Sequence, residues 1–199
     1  MIKDYNIAWN RKRKFLPCYT MLGMINDTSE ANGGPVLAAN PMATSELVGL
    51  SIAQAGDEVY TFWPLPWDLD RSEPLRFRIW FTHSTADADT PDWVVSYQAI
   101  ADSVAITDGK AGADENVAFA ATAVTATAHA LEILDWEESI SDTLIETTDH
   151  ALLIALECNG LGSAGADEIN VLGLEIEYTV GACLDSSHQD KTRNAPVGP

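Results

Sequence analysis

Asp87, Asp89 and Asp92 fall within one polar stretch, residues 82–92, and carboxylates crowded in that way are the ligand type that a calcium ion gathers in sets of about six to eight. The stretch lacks the glycine and the closing glutamate of a calcium loop, so it reads as a solvated acidic loop. His83, His129, His150 and His188 stand alone, none with a second histidine at metal-ligand spacing. No P-loop, glycine-rich dinucleotide turn, nucleophile elbow, zinc-protease helix or EF-hand pattern occurs. The sequence therefore assigns no catalytic residue, no cofactor and no metal ligand, and the chain is read as a binding or assembly protein and not an enzyme.

Cys18, Cys158 and Cys183 are three in number, far apart and without a CxxC pair. That argues against a disulfide framework and a zinc site, and in favour of buried free thiols. Trp63, Trp67 and Trp93 could form a stacking platform for sugars, as aromatic rings do in carbohydrate-binding sandwiches, or could close the ends of the core. The second use is the simpler expectation.

The formal charge of −19 is the largest departure from an average composition. A field of that sign repels nucleic acid and anionic lipid, which excludes both as general partners. The positive charge is concentrated: Arg11, Lys12, Arg13 and Lys14 run together between Trp9 and Phe15. Aromatic anchors flanking steering cations suit docking on an acidic protein surface. Arg76 and Arg78 add two cations to one face of a strand, where they are expected to meet carboxylates across a subunit contact. Trp9, Arg11, Lys12, Arg13, Lys14, Phe15, Arg76 and Arg78 thus form the candidate partner-binding set.

The elements that must position these residues are strands. Residues 75–82 alternate Leu75, Phe77, Ile79 and Phe81 against Arg76, Arg78, Trp80 and Thr82. Residues 93–101 repeat the alternation through Trp93, Val95, Tyr97 and Ala99. Residues 151–158 are apolar on both faces, as in a central strand. Residues 171–180 set Leu172, Leu174, Ile176, Tyr178 and Val180 against Gly173, Glu175, Glu177 and Thr179. Shorter β-prone runs occupy 47–52, 58–63 and 131–136, with a turn at 54–57. Residues 117–129 read as strand, and 137–148 as a loop or one short helix. Pro64 and Pro66 restrict the segment around Trp63 and Trp67 to an edge or a corner.

Six to eight strands with no room for a long helix predict an all-β fold, an antiparallel β-sandwich or jelly roll with an extended N-terminal arm. The expected organisation is an arm and loop over residues 1–45, a jelly-roll domain over 46–183 and a polar C-terminal tail over 184–199. No apolar run approaches the ~20 residues that span a bilayer, and the N-terminus shows no signal-peptide pattern, so a soluble chain is expected.

The Trp63–Asp70 corner, the strand from Arg76 to Phe81, the strand from Trp93 to Ala101 and the closing strand through Glu175, Glu177 and Tyr178 together resemble jelly-roll structural proteins of tailed bacteriophages. The resemblance covers about residues 58–101 and 150–180. It implies a virion structural protein, assembled in the host cytoplasm: a head decoration or cement subunit, usually a homotrimer, that binds the major capsid protein and stabilises the head. A tail, fibre or capsid subunit of the same fold is the alternative within a virion, and a carbohydrate-binding β-sandwich module is the alternative from a different class.

Overall fold

A computed structural model describes residues 11–18, 36–39, 48–52, 55–83, 90–105, 115–139, 145–160 and 169–181. In chain order the strands are β1 (Arg11–Pro17), β2 (Val36–Ala39), β3 (Val48–Ile52), β4 (Asp57–Pro64), β5 (Arg76–His83), β6 (Asp92–Ala101), β7 (Glu115–Ala118), β8 (Leu131–Ile133), β9 (Glu137–Glu138), β10 (Asp149–Gly160) and β11 (Ile169–Thr179). They form two antiparallel sheets, and no α-helix occurs among the described residues. The fold is the all-β sandwich that the alternation predicts.

The larger sheet has seven strands built around β11. On one side β11 pairs in series with β3 at Ile169–Val171 and with β1 at Gly173–Thr179; on the other it pairs with β5. Short β8 and β9 continue beyond β5, and β2 beyond β3. The smaller sheet runs β4-β10-β6-β7. β10 is central in it, as expected for a strand apolar on both faces, and β4, which ends on Pro64, is an edge.

Alternation places one set of residues from each sheet between the layers. Phe77, Ile79, Phe81, Leu174 and Ile176 from the larger sheet face Val95, Tyr97, Leu152, Ile154 and Leu156 from the smaller, all almost fully buried. Three aromatic pairs tie the layers together: Trp63 with Tyr178, Phe77 with Tyr97 and Phe81 with Trp93, at centroid distances of 5.8, 6.0 and 5.4 Å. Each such pair contributes about 1 kcal/mol beyond the area it buries.

Four sequence expectations need correction. Part of the expected arm is a strand: β1 lies in full register along β11 and sends Leu16 into the core, and β2 also falls within residues 1–45. The alternation of β11 is broken by a register shift between Val171 and Gly173, so Val171 takes the core position and Leu172 is only half-buried. In the run 117–129 strand stops at Ala118, because the chain leaves the sheet after Phe119 donates its N–H to the Trp93 carbonyl. The short run expected over 131–136 breaks after Ile133, where Leu134 dips into the core before pairing resumes at Glu137, so 137–148 begins as strand. The turn at 54–57 is confirmed at Gly56, whose φ of +92° is one that side chains rarely adopt.

Candidate binding site

Most of the candidate partner-binding residues converge on the outward face of the larger sheet. In β1 the side chains of Arg11, Arg13 and Phe15 share that face; in β5 it carries Arg76, Arg78 and Trp80; in β11, between them, it carries Gly173, Glu175 and Glu177. Pairing is within the chain. The Glu177 carboxylate accepts hydrogen bonds from Arg11 Nη1 at 3.0 Å, Arg76 Nη1 at 2.8 Å and Arg13 Nε at 2.8 Å. Glu175 Oε2 accepts from Arg78 Nη2 at 2.6 Å, Arg78 Nε at 3.1 Å and Trp80 Nε1 at 3.1 Å. The expectation that Arg76 and Arg78 wait for carboxylates across a subunit contact is therefore corrected: the partners sit directly across the strand pair in β11.

Trp136 lies over this layer. Between β8 and β9, Leu134 turns into the core and Trp136 turns outward, with the guanidinium carbons of Arg78, Arg13 and Arg76 at 4.4, 5.2 and 5.5 Å from the ring centroid. Cations stacked on an indole face are attracted by its quadrupole, and the stacking shields the ion pairs from water. Burial alone would raise the Glu177 carboxyl, but the hydrogen bonds from Arg13, Arg11 and Arg76 outweigh it and hold the group below the usual carboxylate range. The arrangement is a brace that clamps β1 and β5 to β11.

The remaining members of the set behave differently. Lys12 hydrogen-bonds the buried Asp68, and that hydrogen bond raises its ammonium above the ordinary lysine value. Asp68 and burial act together on Tyr178, with burial the larger cause, and push its phenol up. Lys14 is exposed. Trp9, Asp87, Asp89, Cys183 and the tail over 184–199 lie outside the described residues.

A concavity that the sequence did not announce lies on the outward face of the smaller sheet. Phe62 and Pro64 of β4, Ile100 and Ala101 of β6, His150 and Ala151 of β10, and Asp102 line a hollow of about 310 Å³. Phe62 is 42% exposed, so its ring is offered to solvent and not spent on the core. The walls are apolar, and one imidazole and one carboxylate stand at the exposed rim. Ser103 takes a φ of +63° in the turn that carries Asp102 away from β6. Its sequence signal was the alternation of β4, which sets Phe62 and Pro64 opposite to Trp63. Of the three tryptophans weighed as a sugar platform, Trp63 and Trp93 close the core, at 3% and 0% exposure, while Trp67 stands 85% exposed in the turn after Pro66.

No family model and no curated protein matches the sequence. Some solved structures show a distant similarity to it. The CBM36-1 domain of a multidomain xylanase from the hindgut metagenome of Trinervitermes trinervoides is 11% identical with a TM-score of 0.43, covering 83% of this chain and 96% of that one. The CBM22-1 xylan-binding domain from Paenibacillus barcinonensis is 13% identical with a TM-score of 0.41, covering 74% and 81%. An adhesin domain of the Lys-gingipain from Porphyromonas gingivalis is 12% identical with a TM-score of 0.43, covering 82% and 89%. Likeness this slight assigns neither a fold nor a function. Of what the phage resemblance implied, the β-sandwich is present in the two antiparallel sheets.

Proposed function

We propose that this chain is a non-catalytic binding module that holds a neutral glycan in the hollow beside Phe62. The observation that carries the reading is the hollow itself: an exposed aromatic ring and a proline on one wall, with Asp102 and His150 at the rim. A pyranose presents a C–H face that stacks on an aromatic ring and an edge of hydroxyls that needs polar partners, and this surface offers both. The charge narrows the class. At −19 the chain repels polyanions, acidic polysaccharides among them, and is indifferent to neutral ones. The reading rests on the hollow and not on the CBM36-1 and CBM22-1 domains, whose likeness to this chain is too slight to carry it. Its non-catalytic half rests on the sequence, which carries none of the nucleotide, hydrolase or metal motifs sought.

Affinity electrophoresis through gels containing soluble neutral polysaccharides (xylan, mixed-linkage glucan, galactomannan) tests it. At least one polymer should retard the protein, with little dependence on salt, and Phe62→Ala should weaken retention at least tenfold while the fold stays intact. Free migration through every polymer, or a Phe62→Ala protein retained as strongly as the parent, would overturn the reading.

A further inference from the structure

The outward face of the larger sheet holds a second feature beside the brace. Phe15 packs edge-on against Trp80 at 5.7 Å, Trp80 lies opposite Ile133 in the β5–β8 pair, and Leu131 follows on the same face. Phe15, Ile133 and Leu131 are 43%, 41% and 53% exposed. A single exposed apolar side chain is ordinary, but a row crossing four strands is a contiguous patch, and such patches mark interaction surfaces.

We propose that this face is where two copies of the chain meet, seated on Phe15, Trp80, Ile133 and Leu131. Charge selects the occupant. Two molecules at −19 repel each other over most of their surfaces, yet on this face four guanidiniums stand against Glu175, Glu177 and, opposite Arg76, Glu138. Repulsion between copies is therefore weakest here. The guanidiniums bind carboxylates of their own chain, so the face is not a receptor for an acidic partner. What it offers is an apolar strip rimmed by satisfied charges of both signs, which is complementary to itself, and a two-fold contact sets such a patch against its own copy.

Sedimentation equilibrium of the full chain over a range of concentration and salt tests the inference. A closed dimer is expected, tightening about tenfold between roughly 0.05 and 0.5 M NaCl as the repulsion is screened. Leu131→Lys with Ile133→Lys should return it to monomer with circular dichroism unchanged. If that variant fails to fold, hydrogen exchange on the parent replaces it: backbone amides of residues 131–138 should gain protection as concentration rises. A monomer under all conditions, association that weakens with salt, open-ended growth, or a dimer without protection at 131–138 would each overturn the proposal.

Discussion

Phe15 lies across Gly173 so closely that a Cβ built on the glycine would come within 2.4 Å of the ring's Cζ and 2.7 Å of the Leu16 carbonyl oxygen. The absence of a side chain at Gly173 is what lets the β1 ring cross the sheet and reach Trp80. Gly173→Ala would push against a backbone atom that cannot step aside, and overpacking of that kind costs about 1–3 kcal/mol. The expected result is a lower urea midpoint and faster proteolytic loss of residues 11–17, with the core strands β6 and β10 unaffected in hydrogen exchange.

Glu177 should contribute to the loss of stability in acid. A carboxyl held below its usual range contributes fully above its unfolded-state value, about 4.3, and that contribution disappears as pH falls through the lower folded value. Glu177→Gln removes the acceptor of three guanidiniums. It is expected to cost about 1–3 kcal/mol at neutral pH, below the full cost of breaking a buried pair because Arg13 is half in water. Stability measured against pH should then fall less steeply below about pH 4 in the variant than in the parent.

Removal of residues 1–17 is a stronger perturbation than deletion of a free arm. It takes Leu16 from the core, two of the three arginines from Glu177 and Lys12 from Asp68. Loss of about 3 kcal/mol or more is expected, read as a fall in Tm beyond that of Gly173→Ala.

The thiols of Cys18 and Cys158 should be inert in the native state. Cys158 is fully buried, and burial, reinforced by the nearby charges of Asp92 and Asp57, pushes its thiol up to about 12. Cys18 is buried as well. Iodoacetamide at pH 8 should leave both unmodified in the folded protein and label both in urea, as read by peptide mass spectrometry.

Much of the sandwich was legible because its core strands alternate cleanly: Phe77, Ile79 and Phe81 could face only one way, and residues 151–158, apolar on both faces, could be only central. The shift at Leu172 was not legible, because Val171 and Leu172 are both apolar and an extra residue leaves no mark in the pattern. The brace was half legible. Arg76 and Arg78, Arg11 and Arg13, and Glu175 and Glu177 share the two-residue spacing of one strand face, a signal that these runs lie side by side. Without register, the carboxylates looked like a solvent face and the cations looked free. The lid over them was hidden altogether, since nothing near Trp136 says that Leu134 dips inward and sends it out over the arginines. The hollow depends on Pro64, Asp102 and His150 meeting from three separate segments, which only the folded topology decides.

The pairing of β1 with β11 also governs how the molecule responds to tension. Arg11 lies opposite Thr179 in an antiparallel pair, so the chain enters β1 at the same end of the sheet where it leaves β11. A load applied between those two points falls on one rung at a time, Arg11–Thr179 first and Pro17–Gly173 last, and peels the strand away instead of shearing it. A strand held in that geometry is expected to come away from β11 in small steps, rung by rung, and not in one cooperative rupture.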